Sequence, residues 1–160
     1  MYLLEKQNET LVPAEIRLGT LKEMPLKKEG WNFNWRFISK KENTSTYILT
    51  LKSNTSSIQG ALHLKESEGM LIMDLVEIAP NNIGKKKKYD YVAGCLIAFA
   101  CRESFKLETN YKGFLTFESK TKLIGWYSEK YGAKVAMGQK MYIEPNQGLK
   151  LMDEYLKREK

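Results

Sequence analysis

The sequence predicts one α/β (α+β) domain. Its mixed central sheet begins as an antiparallel meander and carries helices on both faces. Three observations carry this reading. First, strand-like segments at 44–51, 58–64 and 70–78 are joined by short turns rich in Ser, Asn, Thr, Glu and Gly, which favour antiparallel neighbours. Second, strand and helix patterns alternate after residue 78, as parallel strands with crossover helices do. Third, Met70–Ile78 is apolar almost throughout, which suits a central strand covered on both faces.

The first 45 residues carry the weakest signals. Leu11–Leu18 reads as a short strand or as a turn leading into the sheet, and Glu23–Trp31 as a loop punctuated by Pro25 and Gly30. Trp31–Phe37 alternates apolar and polar residues, which predicts an extended segment with Trp31, Phe33, Trp35 and Phe37 on one face. That face is either a share of the core or one wall of a substrate cleft. The helix after the meander is expected from about Tyr89 to about Leu107, with a buried stripe through Val92, Leu96 and Ala100. Tyr111–Phe117 is expected as a strand. Ser119–Tyr131 is expected as a helix capped by Ser119 or Thr121 and stopped at Gly132. Ala133–Ile143 is one long strand or a pair broken near Gly138. Gln147–Arg158 is expected as an amphipathic helix with Leu149, Met152 and Leu156 on one side.

The chain has 160 residues, 42% hydrophobic and 28% charged, an ordinary composition for one domain with its own core. No apolar run approaches the roughly 20 residues of a membrane helix, and Met1–Lys6 lacks the pattern of a secretion signal. No membrane association is expected, and the cytoplasm is the expected compartment. Cys95 and Cys101 lie six residues apart on different faces of one helix, which argues against a disulfide between them. A single histidine, His63, argues against a His/Cys metal cluster, and no metal is expected. The net charge of +7 is concentrated at Lys85–Lys88, with smaller blocks at Lys27–Lys28 and Lys40–Lys41. It reads either as solvation or as attraction for an acidic partner such as RNA or a CoA-like ligand.

Met70–Phe105 holds the clearest chemical proposal: strand, turn, basic loop, helix. A helix start offers unpaired N–H groups and a positive dipole end, and lysines beside it add to the attraction for phosphate. A phosphorylated ligand is therefore expected against this turn. Two carboxylates, Asp74 and Glu77, sit in the preceding strand. In a regular strand they point to opposite faces, unless a bulge intervenes.

Over roughly residues 46–143, this order of elements resembles the GNAT N-acetyltransferases. In that family, the pyrophosphate of acetyl-CoA sits on a loop written R/Q-x-x-G-x-G/A that opens a long helix. The local match is Lys88-Tyr-Asp-Tyr-Val-Ala93, followed by Gly94. Lys88 stands where Arg or Gln is usual, Tyr91 where the first Gly is usual, and Ala93 conforms. Val76-Glu-Ile-Ala-Pro80 is similar to the strand end and proline before the family's loop. Ser119, Trp126-Tyr127 and Tyr131-Gly-Ala133 resemble its later helix.

The resemblance implies acetyl transfer from acetyl-CoA to a primary amine by direct attack. The backbone of Glu77, Ile78 and Ala79 would pair with pantetheine. The backbone of Tyr89, Tyr91, Val92, Ala93 and Gly94, with Lys85 and Lys88, would hold the pyrophosphate, and Ser119 would lie near the cofactor. Tyr127 would protonate the leaving thiolate, and Glu77 would act as base, with Asp74 as its competitor. Structural readings stand beside these: Tyr127 as a core aromatic, Glu77 as a carboxylate bonded to neighbouring loops, His63 as a packed imidazole. Residues 1–45 are the expected acceptor side. The acceptor is left open among a small molecule, a protein and an aminoacyl-tRNA. A homodimer is among the oligomeric states allowed. The competing function is a non-catalytic GNAT-like module that binds RNA or a protein through its basic surface.

Overall fold

The computed structural model describes residues 1–159. Its strands are β1 (Tyr2–Glu5), β2 (Thr10–Leu18), β3 (Thr44–Leu51), β4 (Asn54–Ser67), β5 (Met70–Ile78), β6 (Tyr89–Asp90), β7 (Leu115–Glu118), β8 (Lys134–Met137) and β9 (Lys140–Ile143). The helices are α1 (Trp35–Ser39), α2 (Val92–Ser104), α3 (Ile124–Tyr131) and α4 (Pro145–Leu151), and α4 runs into a π-helical turn at Met152–Leu156. All nine strands form one mixed sheet in the order β6-β1-β2-β3-β4-β5-β7-β9-β8.

The meander β3-β4-β5 is antiparallel, and β5 and β7, joined through α2, are parallel, as expected. β5 has the bounds the sequence indicates. Leu11–Leu18 belongs to a strand, β2, which pairs with both β1 and β3. Ala133–Ile143 resolves into the hairpin β8-β9, turning at Gly138 with φ +60°.

Several expectations are corrected. Trp31–Phe37 is not extended: it is a loop entering the five-residue helix α1, whose N-cap Asn34 accepts from Phe37 N–H at 3.2 Å. Its aromatics do not share a face. Trp31 and Trp35 are buried, while Phe37 is 66% exposed. α2 begins at Val92, because Tyr89–Asp90 pairs as a strand with β1. The strand expected at Tyr111–Phe117 is confined to Leu115–Glu118. Neither Ser119 nor Thr121 caps α3; it follows a 3₁₀ turn at Thr121–Leu123 and stops at Gly132 with φ +70°. The C-terminal helix buries Leu151 and Tyr155, while Leu149 stays 46% exposed.

The sheet's two faces are covered unequally. On one, α2 lies against Leu62, Leu64, Leu71, Met73, Leu115 and Ile143 in the main core, which Tyr155 and Leu151 of the C-terminal segment complete. On the other, a smaller cluster joins Trp31, Trp35 and Ile38 to Ile48, Ala61 and Ala79. Cys95 and Cys101 are buried in α2, and burial pushes both thiols up to about 12, so they stay protonated and inert.

Candidate functional site

β5 carries a β-bulge. His63 of β4 faces Leu75, and Leu64 faces Met73, so Asp74 is the extra residue. The bulge switches the alternation. Leu71 and Met73 face α2 before it, and Val76 and Ile78 face the same core after it. Leu75 joins the α1 cluster, and Glu77 bonds the indole of Trp35. Asp74 lies beside His63 and Lys65. The bulge thus brings Asp74 and Glu77 to the same face.

β5 and β7 pair only at Leu71↔Leu115 and Ile72↔Thr116. Past those pairs the two strands have no ladder between them. The backbone edge of β5 from Met73 onward is therefore open to an added extended chain. This slot leads toward the turn at Pro80–Asn82 and the start of α2.

Four hydrogen bonds and a strand pairing shape that turn. Buried Asn82 donates through Nδ2 to Gln59 Oε1 at 2.9 Å and accepts from Tyr89 N–H at 3.0 Å. Lys88 N–H donates to Asn81 O, and Lys6 N–H donates to Lys88 O, each at 2.9 Å. β6 pairs with β1 through Leu4↔Asp90 and Glu5↔Tyr89. The sequence reading missed Asn82. Its only signal was an Asn in a Pro-Asn-Asn turn, and its partner Gln59 is 23 residues away.

Tyr91 sits at φ +77°, ψ 3°, in the left-handed region. That is the conformation a glycine reaches without strain, and this is the position where the resembled family has one. The Tyr91 ring is turned toward the C-terminal segment. It meets the Tyr155 ring edge-on at 6.3 Å, and the Arg158 guanidinium lies 4.1 Å from its centre. Among the N–H groups of residues 89–94, those of Tyr89 and Tyr91 are satisfied internally, by Asn82 and by Asp90 Oδ1. The first helical bond runs from Cys95 N–H to Tyr91 O, so the N–H groups of Val92, Ala93 and Gly94 precede the helical ladder. Tyr91→Gly should change stability by no more than about 1 kcal/mol, because strain relief offsets the lost aromatic and cation–π contacts. Tyr91→Val keeps the strain and loses the ring, and should cost about 2 kcal/mol by thermal denaturation.

The other expected site residues fall as follows. Lys85 and Lys88 are exposed, and Lys87 pairs with Asp90 at 3.6 Å. Ile78 packs against the main core, and Ala79 is buried beside α1. Ser119 is buried, with its Oγ donating to Lys120 O at 2.8 Å. Tyr127 of α3 packs against Phe117 at 4.8 Å and Trp126 at 4.9 Å, and burial raises its pKa, which keeps the phenol protonated. Glu77 is 7% exposed and accepts three hydrogen bonds, from Asn32 N–H (2.6 Å), Phe33 N–H (3.3 Å) and Trp35 Nε1–H (2.8 Å). These bonds hold the N-terminal segment against the sheet.

Two grooves flank the site. One, of about 870 Å³, lies between the N-terminal loops, the start of β4 at Asn54–Ile58 and Ala79–Asn81. The other, of about 780 Å³, includes Ile72, Asp74, Phe114, Thr116 and Tyr142 along β5, β7 and β9. Among the described residues no group of His, Cys, Asp or Glu is placed to hold a metal ion, and no helix is long and apolar enough to cross a membrane.

An open slot between two parallel strands thus leads to an uncapped helix start, and the chain as a whole has the fold of solved N-acetyltransferases. AtaTR bound with acetyl-CoA matches over 88% of this chain and 98% of its own, with a TM-score of 0.62 at 11% identity. A mutant of spermidine N-acetyltransferase SpeG from Vibrio cholerae matches over 85% and 96%, at 0.59 and 16%. Campylobacter jejuni N-acetyltransferase PseH in complex with acetyl coenzyme A matches over 81% and 99%, at 0.51 and 12%. No protein-family model and no curated protein matches the sequence.

Proposed function

We propose that the chain is an acetyl-CoA-dependent N-acetyltransferase, acting as one domain on a primary amine. The observation that carries this is the divergence of β5 from β7 after Ile72↔Thr116, in a fold shared with proteins solved with acetyl-CoA. In this reading the free edge of β5 near Glu77–Ala79 pairs with the pantetheine amides. The N–H groups of Val92, Ala93 and Gly94 take the pyrophosphate, with Lys85 and Lys88 adding charge at close range. Tyr89 and Tyr91 shape that turn and contribute no free N–H. Ser119 ends β7 beside the slot. Tyr127, kept protonated by burial, supplies a proton to the departing thiolate. Glu77 already serves three donors, so we assign it to holding the acceptor-side segment and give the amine-side role to Asp74.

Acetyl-CoA at about 100 times its dissociation constant should stabilise the chain by about 2.7 kcal/mol, read as a rise in melting temperature. Replacing Lys88 and Tyr91 together by Glu should abolish that rise. No rise with the unaltered chain would sink the proposal. The alternative, a non-catalytic module for RNA or protein, draws on the exposed Lys85, Lys86 and Lys88. Salt-dependent nucleic-acid affinity without an acetyl-CoA shift would favour it.

A further inference from the structure

His63 is fully buried, yet only one of its ring nitrogens has a partner. Nδ1 lies 2.9 Å from Thr46 Oγ1. Nε2 has no hydrogen-bond partner and faces Asp74 Oδ2 at 3.9 Å. A buried imidazole nitrogen without a partner costs free energy, so its presence here calls for an explanation. The bulge explains the alignment, because the extra residue it inserts into β5 is Asp74, opposite His63. Thr46, His63 and Asp74 therefore form a line from the interior of β3 to the surface of β5.

That line ends in the 780 Å³ groove. Ile72, Tyr111, Phe114 and Tyr142 give the groove apolar and aromatic walls, with the Phe114 and Tyr142 rings 6.4 Å apart. Asp74 and Glu118 stand on the two strands that part company past Ile72↔Thr116. Lys65 pairs with Asp74 at 3.2 Å, but its side chain is 42% exposed, so solvent screens the pair and an ammonium can replace it. Lys140 is exposed beside Glu118. Tyr127 packs on the opposite face, against Phe117.

We propose that this groove is the acceptor site, that it takes a primary ammonium carried on an apolar, aromatic-sized body, and that Asp74 holds the ammonium while His63 behind it receives its proton. The proposal rests on the acetyltransferase reading. One proton leaves the ammonium for Asp74 and passes to His63 Nε2, which later releases it to solvent. The freed amine forms a C–N bond to the acetyl carbonyl, and the C–S bond breaks with its electron pair going to sulfur. Tyr127 protonates that sulfur and regains a proton from the attacking nitrogen. The surroundings of His63 suit a transient proton acceptor. Burial lowers its pKa and the Asp74 charge partly raises it again, with Lys41 and Lys65 the other charges acting on it. Asp74 touches the substrate, and His63 acts through Asp74.

The test uses phenethylamine as the probe, with putrescine, which lacks the apolar body, for comparison. Binding is measured by saturation-transfer NMR on the full chain without acetyl-CoA. Phenethylamine should bind at least tenfold more tightly than putrescine, and Asp74→Asn should weaken it at least tenfold. His63 is the chain's single histidine, so its ¹⁵N signals need no assignment variants. Its titration midpoint should fall when phenethylamine binds, because the ammonium cancels the Asp74 charge that raises it. In turnover, His63→Gln should leave KM within threefold, lower kcat by at least tenfold and remove the acid limb of the pH profile. Absent binding, or an unmoved midpoint, overturns the proposal. So does a His63→Gln chain with altered melting temperature but unchanged kcat and pH profile. Failure of acetyl-CoA to bind would overturn the acetyltransferase reading, while the NMR experiments would still decide the groove.

Discussion

Gly94→Ala is expected to lower the free energy of unfolding by about 2 kcal/mol, although alanine is the better helix former by about 1 kcal/mol. A Cβ at Gly94 would lie 2.2, 2.3 and 2.6 Å from three atoms of the Tyr155 ring, and real Cβ atoms do not approach that closely. Either the ring or the start of α2 must move. Tyr155 is 6% exposed and packs against Tyr131 and Tyr91, so little slack exists. Urea denaturation with an unchanged slope measures the loss. In a Tyr155→Ala background, the same change should become favourable by about 1 kcal/mol, because the clash is gone and helix propensity remains. Simple additivity of the two changes would refute the contact. Since α2 starts two residues before Gly94, the clash should also displace the N–H groups assigned to pyrophosphate and weaken acetyl-CoA binding.

Glu77→Gln should cost about 3 kcal/mol. One amide oxygen remains for three donors, and the amide NH₂ points at N–H groups that then lack an acceptor. The segment around α1 should loosen as a unit, because Asn32, Phe33 and Trp35 share this one anchor. The emission of Trp31 and Trp35, both buried here, should shift to the red, and limited proteolysis should open the region between residues 20 and 34. A Glu77→Gln chain within about 0.5 kcal/mol of the parent but without turnover would return Glu77 to the role of catalytic base.

The contrast between these two positions marks how far the sequence could be read. Gly94 is small, it follows the phosphate-loop pattern directly, and the resemblance counted its backbone among the groups that would hold the pyrophosphate. In the structure that smallness makes room for Tyr155, 61 residues later in the chain. Glu77 was recognisable as a carboxylate in an apolar strand, but its donors come from residues up to 45 positions away. The same long-range anchor explains the failed expectation at Trp31–Phe37. The alternation there is real, yet the Asn34 cap and the Glu77–Trp35 bond favour a short helix over a strand.

Residues 44–104 were largely legible. The hydrophobic alternation, the polar turns and the long apolar run of β5 act within a few residues, and these alone determined the meander, the turn at Pro80 and the helix that follows. The parallel return into β7 came from chain order. Tertiary structure decided the rest. It placed Asp74 in a bulge and so put both carboxylates on one face. It held Tyr91 at positive φ through the Asp90 bond and the packing of Tyr155 and Arg158. It also brought His63 behind Asp74. Each depends on strand register and on partners far apart in the chain, and a strand's register is set by the whole face it buries rather than by any short stretch of residues.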